Sequence, residues 1–287
     1  MTTVKRFYDR GMRILFLLCA CVSILSVALI CIFLFSQGLP TIAEIGVFRF
    51  LFGTDWRPTQ GQFGILPMIV GSIYVTVGAI LIGVPLGLLS ALFLAKFCPR
   101  RLYNLLMPAV RLLAGIPSVI YGFFGLTVLV PTLQALFGGS GKNILTASVL
   151  LGIMILPTVI AVSVSAFEAV PNSYFEGSLA LGATRERSVC CVTLPAAASG
   201  VSAGIILGIG RAMGEALAVS MIAGNQPVIP NSLLSGVRTL TANIVVEMGY
   251  AEGRHKDALI ATAVILFVLI LCINLAFSHL KRKDATT

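Results

Sequence analysis

Two groups of residues in this chain have types and spacings that could do chemistry. The first is Arg211 and Glu215 in Gly208-Ile-Gly-Arg-Ala-Met-Gly-Glu-Ala-Leu-Ala-Val219, the only charged residues between Ser188 and Val237. Four apart, they are predicted to share one face of a helix. A guanidinium offers paired donors that match an oxyanion, and a nearby carboxylate keeps such an anion from binding too tightly to leave. The same two residues could also satisfy each other and lock helices together, and both readings stand. The second group is the polar insert from Pro171 to Ser188, followed by Val192-Thr-Leu-Pro195. Ser173 and Glu176 have capping-box spacing, so a helix is expected to start there. Gly182 supplies the left-handed residue that ends it. Thr184 is placed to cap a second short helix toward Cys190–Val192, with Pro195 just before the next apolar segment. The expectation is two short helices with a bend, lying along a membrane surface. Such a lever fits a groove on a partner, or is a plain surface helix without one. No serine–histidine, paired-carboxylate or metal-binding constellation accompanies these groups. The histidines are His255 and His279, and the seven cysteines form no CxxC pair, so catalysis and a zinc site are not expected.

The elements that must position these groups are membrane spans. The chain is 57% hydrophobic and 11% charged, with a mean hydropathy of +1.00, against about 25% charged residues in soluble domains. Ile14–Ala43, Pro58–Ala95, Leu112–Gly141, Asn143–Phe167, Ser188–Gly210, Ala216–Val237 and Ala258–Leu280 contain no Asp, Glu, Lys or Arg. A span needs about 20 such residues. Six helices are predicted, at roughly 14–36, 66–95, 109–137, 144–168, 196–223 and 258–280, which puts Arg211 near the middle of the fifth. With the N-terminus in the cytoplasm, the inner segments hold Lys5, Arg6, Arg10, Arg13, Lys96, Arg100, Arg101, Arg111, Arg185, Arg187, Lys281, Arg282 and Lys283. The outer segments hold only Arg49, Arg57, Lys142, Arg238, Arg254 and Lys256. The positive-inside rule therefore predicts both termini cytoplasmic. The net charge of +9 is then a topology signal and not a nucleic-acid signature. The first apolar run is longer than a signal-peptide core of roughly 7–15 residues and has no A-x-A site after it, so a retained anchor is expected.

The class is thus an all-α membrane protein of six transmembrane helices. Residues 1–64 form an anchor helix and outer loop, 65–280 a transmembrane domain, and 281–287 a basic cytoplasmic tail. Trp56, the only tryptophan, is expected to anchor at the interface. The polar segment Asn225–Asp257 is expected in water or against a soluble partner. Gly83/Gly87, Gly204/Gly208 and Gly210/Gly214 have the spacing of small residues that admit close helix packing. Pro85, Pro117 and Pro131 are expected to kink or interrupt helices.

The insert resembles the EAA loop of binding-protein-dependent ABC importer permeases. Glu176, Gly182, Leu194 and Pro195 match that pattern in register, while Gly177, Ser178 and Val192 depart from it conservatively. From about residue 48 onward, Phe50-Leu-Phe-Gly-Thr-Asp-Trp56, Leu113-Ala-Gly-Ile-Pro-Ser-Val-Ile-Tyr-Gly-Phe-Phe-Gly-Leu126, the Arg211–Glu215 motif and Ile222-Ala-Gly-Asn225 resemble the PstC-type permeases of the bacterial phosphate-specific importer. The resemblance implies a type I ABC importer permease fold in the plasma membrane. It also implies a PstA-type sister permease, a pair of PstB-type ATPases docking on Glu176, Gly182, Leu194 and Pro195, and a PstS-type phosphate-binding protein. ATP and Mg would belong to the partner ATPase, with no cofactor bound by this chain. Gly138-Gly-Ser-Gly-Lys-Asn143 lacks the spacing of a phosphate-binding loop. Arg211 and Glu215 would line the substrate path. Another oxyanion, such as sulfate or molybdate, is the alternative cargo, and a membrane channel a more distant one.

Overall fold

The computed structural model describes residues 3–284, with side-chain surroundings for residues 11–276. The side chains of Lys5, Arg6, Arg10, Lys281, Arg282 and Lys283, and the last three tail positions, lie outside the described residues.

The chain begins with α1 (Thr3–Ile45) and a short α2 (Val47–Phe52). A two-strand hairpin follows, β1 (Trp56–Arg57) against β2 (Gln62–Phe63), with Trp56 opposite Phe63. Then come α3 (Leu66–Leu92), α4 (Arg100–Ala114), α5 (Ser118–Phe124), α6 (Val130–Phe137) and α7 (Ile144–Glu168). The insert holds α8 (Asn172–Ala180) and α9 (Arg185–Ser188). α10 (Leu194–Gly214), α11 (Leu217–Ile222), α12 (Leu240–Glu247) and α13 (Gly253–Asp284) complete the chain.

Among the described residues, six helical stretches are long and apolar enough to cross a membrane: 11–45, 66–97, 118–137, 144–168, 185–214 and 253–276. The first is lipid-like all round, since none of its most apolar window is buried. A helix apolar on every face and uncovered by protein must have hydrocarbon as its neighbour.

Two spans differ from the sequence expectation. The third is not one helix from 109. Gly115, Ile116 and Pro117 separate α4 from α5, because the residue before a proline is driven out of the helical region. The fifth is not continuous to 223, since α10 ends at Gly214 and Glu215 is extended at φ −71°, ψ 126°.

Widened turns occur at 93–97, 125–129 and 189–193, and each ends two residues before a proline: Pro99, Pro131 and Pro195. A proline ring clashes with the carbonyl four residues back and donates no bond to it, and that carbonyl lies inside each widened turn. At 125–129 and 189–193 opening the turn by one residue relieves the clash without ending the helix, whereas after 93–97 the helix stops and Pro99 caps α4. Pro195 therefore does not precede the fifth span. α9, the widened turn and α10 run on as one helix from Arg185 to Gly214. Pro117 interrupts its span as expected, whereas Pro85 lies within α3.

The bundle is organised on α3 and α7. At Gly83 an added Cβ would stand 2.7 Å from the Gly152 carbonyl oxygen, so glycine is required for the backbones to meet there. Gly87, Gly204 and Gly208 likewise lie against Val159 or Val162 of α7. Gly210 and Gly214 do not share that packing, since nothing lies within 4 Å of their missing Cβ positions. Apolar clusters lie along the bundle. One around Leu150, Ile155 and Ile222 fills its middle. One around Phe50, Ile65, Met68 and Leu259 fills the hairpin end. A third, around Leu94, Val164, Phe167 and Val201, fills the end carrying the insert.

Candidate functional site

Arg211 and Glu215 stand on either side of a backbone break, and this decides what each touches. Arg211 occupies the last turn of α10 and donates from Nη1 to the Thr158 hydroxyl at 3.2 Å. Thr158 lies near the middle of α7, so the guanidinium is at mid-depth of the bundle. Glu215 has left the helix, and its Oε1 accepts from the Ala218 amide at 3.0 Å, at the first turn of α11. A carboxylate there satisfies an orphan amide and sits favourably in the field of a helix start.

The two residues therefore do not share a helix face. Nor do they form a mutual pair: among the described residues the ion pairs are Arg238–Glu247 and His255–Glu247. The self-satisfied reading of Arg211 and Glu215 is thus corrected, because the break at Gly214 turns the carboxylate toward α11. Glu215 lines a narrow crevice with Ser72, Thr76, Thr239 and Thr241, of about 10 Å³, room for about one water. Its backbone carbonyl accepts from the Thr241 hydroxyl at 2.8 Å, and the Ser72 hydroxyl accepts from the Leu240 amide at 2.9 Å. The Tyr121 hydroxyl, within electrostatic reach of Arg211, donates to the Leu113 carbonyl at 2.9 Å. The arrangement is a half-buried cation held by a neutral hydroxyl, with donor capacity left over.

At the opposite end of the fifth span the insert is exposed. α8 is capped two residues earlier than expected, by Pro171 with no side-chain bond, so the Ser173–Glu176 capping box does not form. Pro171 at φ −55° presets the entry into the helix, and Ser173 falls inside the first turn. The end of α8 is as expected. Gly182 has φ +86°, its amide bonds the Leu179 carbonyl at 2.9 Å, and the Ala183 amide bonds the Ser178 carbonyl at 3.2 Å. These bonds make a Schellman motif with Gly182 at its left-handed position. Thr184 caps α9, accepting from the Arg187 amide at 3.3 Å. In place of a second separate helix, α9 is the first turn of the long helix that carries Arg211 in its last turn and ends at Gly214. Glu176, Gly182 and Pro195 are exposed, Leu194 is half-buried, and Leu181 at the tip is 91% exposed.

The sequence reading did not single out a third constellation, in the segments beyond the hairpin end of the bundle. Glu247 is 6% exposed. Its Oε2 accepts from Trp56 Nε1 at 2.8 Å and meets His255 Nε2 at 2.7 Å, while Arg238 bonds its Oε1. Arg238 also donates to the Asn225 carbonyl at 3.0 Å and to Asn243 Oδ1 at 3.1 Å. Trp56 is therefore not an interfacial anchor: it is 6% exposed and packs edge-on to Phe63. Nor does all of Asn225–Asp257 lie in water, since α12 is largely buried. Tyr250 sits beside this knot, where burial and then the Glu247 charge hold its phenol above the usual tyrosine range, partly offset by Arg238.

Residues 83–283 match the family described as "Binding-protein-dependent transport system inner membrane component". The probable ABC transporter permease protein YqgH of Bacillus subtilis is 38% identical over 278 residues, covering 94% of this chain and 90% of that one. The phosphate transport system permease protein PstC of Mesorhizobium japonicum is 36% identical over 280 residues, covering 90% and 85%. Among solved structures, an inward-facing MetNI methionine ABC transporter superposes with a TM-score of 0.62 at 19% identity, over 80% of this chain and 99% of that one. At that identity the likeness speaks for the fold.

Proposed function

Because the chain belongs to the family of binding-protein-dependent transport system inner membrane components, we propose that it carries phosphate through a path in which Arg211 binds the passing oxyanion. The chain is a multi-pass membrane protein with a type I ABC importer permease fold. It is a permease subunit of an ABC importer and not an enzyme. ATPase subunits and a binding protein are its partners in general. In this reading the specific partners are a PstA-type sister permease, two PstB-type ATPases and a PstS-type phosphate-binding protein. ATP and Mg belong to the ATPases. Both termini are cytoplasmic, so the insert carrying Glu176, Gly182, Leu194 and Pro195 meets the ATPase dimer. The Trp56 end then faces the binding protein.

Phosphate as cargo is supported by relatives that carry that name. The observation that carries the site is Arg211 itself: a cation at mid-depth, resting on a neutral hydroxyl, with no carboxylate of the described residues paired to it. Keeping an ion in such a place is costly unless it faces water or a ligand. Phosphate oxygens accept guanidinium bonds in paired geometry. Glu215 lends a second, negative field to the same level, so the anion is passed and not trapped. The crevice beside Glu215 takes about one water, so the sister permease completes the path.

Mechanically, α9, the widened turn and α10 form one rod between the insert and Arg211. Movement of the ATPases against α8 and Gly182 is thereby delivered at the anion contact. The test is ATP-dependent uptake of labelled phosphate into vesicles holding this chain with its sister permease, ATPase and binding protein. Sulfate serves as competitor and Arg211→Ala as the matched variant. Uptake that resists sulfate and collapses in the variant is expected. Competition by sulfate would remove the phosphate assignment, and survival in an assembled Arg211→Ala complex would remove the arginine's role.

A further inference from the structure

The amphipathic helix α4 has no role in the site described above, and it carries Arg100, Arg101 and Arg111 without a single acidic residue. Three faces divide it. One packs into the bundle through Tyr103, Leu106, Met107 and Val110. A second exposes Leu105 at 68%, Leu112 at 75% and Leu113 at 46%. Between them runs a stripe of Arg100, Asn104 and Arg111, with the apolar ring of Pro108 between the last two, all exposed. Steps of four, four and three residues keep them on one helix face.

Hydrogen bonds fix how α4 lies. Near its start the Tyr103 hydroxyl donates to Glu168 Oε1 at 2.9 Å, at the last residue of α7. At its other end the Leu113 carbonyl accepts from Tyr121 at 2.9 Å. Tyr121 is within electrostatic reach of Arg211, and Arg211 holds Thr158 of α7. Ten residues separate Tyr103 from Leu113, and ten separate Glu168 from Thr158, about 15 Å of helix in each case. α4 therefore climbs antiparallel to α7, from its end to its middle. A helix lying flat on a bilayer surface would not make both contacts. The leucine face meets hydrocarbon, but the polar stripe reaches too deep for that. Arg111, whose charge reaches back from its place on the helix toward the Tyr103 hydroxyl, needs water or a partner group, and among the described residues it makes no ion pair.

We propose that the Arg100–Asn104–Arg111 stripe of α4 lines the half of the anion path between Arg211 and the coupling insert, with Arg111 as the second cationic contact for phosphate. This rests on the phosphate-importer reading above. Arg111 lies on the insert side of Arg211, its charge reaching back toward the Tyr103 hydroxyl. Two moderate sites in series let an anion leave the first without facing bare hydrocarbon. The helix break at Gly115–Pro117 sets the stripe's angle to the upper half of the span.

The test uses the whole importer reconstituted in vesicles of pure phosphatidylcholine and, separately, of phosphatidylcholine with phosphatidylglycerol. Arg111→Gln is expected to lower phosphate uptake by about tenfold, the effect of losing one charged contact, while ATP hydrolysis persists. Arg111→Lys keeps the charge and loses the paired donors, so it is expected to recover most of the uptake at saturating phosphate with a raised apparent KM. The defect is expected to be equal in both lipids. Normal uptake by an assembled Arg111→Gln complex overturns the proposal. So does a defect confined to phosphatidylglycerol vesicles, which would mark α4 as a lipid-binding surface. If Arg111→Gln does not assemble, Arg111→Lys decides through its apparent KM for phosphate, and an unchanged value overturns the proposal. Failure of the unsubstituted importer to carry phosphate would instead strike the cargo reading first.

Discussion

Two regions of this molecule place an arginine and a glutamate where little water reaches, and they treat the charges in opposite ways. In the knot at the hairpin end, Glu247 gathers Arg238, Trp56 and His255 on its two oxygens. At mid-depth, Arg211 and Glu215 are four residues apart yet bond to Thr158 and to the Ala218 amide instead of each other. The knot ties together residues 56, 238, 247 and 255 from separate segments, so its job is to fix the outer structure. The mid-depth pair holds a cation in reserve. A closed charge network stabilises a fold, whereas an open one is free to take a ligand.

The sharpest way to break this comparison is Glu247→Ala. Removing one partner of a buried pair leaves the other charge stranded, at a cost of about 3–5 kcal/mol. The side chains of Arg238 and Glu247 are only 13% and 7% exposed, so little of this is screened. A large fall in the thermal midpoint of the detergent-solubilised complex is expected. A midpoint within a degree of the unsubstituted protein would show that the knot is not structural.

Arg211→Ala is the mirror experiment. Its visible contact is one neutral hydroxyl, so stability should change by about 1 kcal/mol at most, while losing a charged contact to phosphate is worth about 1.5–3 kcal/mol, or some tenfold to hundredfold in uptake. A variant that melts early and transports normally once folded would put Arg211 in the same class as Arg238.

Gly182→Val tests the rod that joins the insert to Arg211. At φ +86° a branched side chain costs about 1–2 kcal/mol, enough to shift the Schellman end of α8 without touching either charge site. Phosphate-stimulated ATP hydrolysis should be lost while the thermal midpoint stays near normal. Hydrolysis still stimulated as before would show that coupling does not depend on this turn.

Much of this was legible from one sequence, and the exceptions have physical causes. Charge-free runs placed six spans because hydrocarbon enforces length and apolarity locally. Gly182 and Thr184 were legible because a left-handed end and a hydroxyl cap are decided by near neighbours. The knot was not, since Trp56 and Glu247 lie 191 residues apart and nothing local says that a tryptophan will find a carboxylate. Glu215 was misplaced for another reason. Helical periodicity carried the reading across Gly214, while the free amide of Ala218 offered the carboxylate a closer partner. The capping box failed because Pro171 took the cap two residues earlier. The polar stripe of α4 was present in the sequence as basic residues, but its depth came only from the Tyr103 and Tyr121 contacts.

The smallest effect, and the most selective, lies at the rim of the knot. Tyr250 is 66% exposed, so solvent screens much of the effect, but its proton is held more firmly in the folded protein, first by the partial burial of its ring and next by the Glu247 charge. The unfolded chain ionises first, near the ordinary tyrosine value of about 10. Its contribution is therefore fully present below that pH and is lost as pH rises through the higher folded value. Between about pH 9 and 11, then, the unsubstituted protein should lose stability more steeply than Tyr250→Phe. Tyr103, raised by burial and by its bond to Glu168, contributes a slope of the same sign at the other end, so the difference between the two proteins is the quantity to read. Replacing Glu247 by Gln removes the second cause and should shrink that difference. If the difference is unchanged by Glu247→Gln, the negative charge that the knot presents to its surroundings is already neutralised by Arg238 and His255, and the contrast with the open site at Arg211 becomes stronger still.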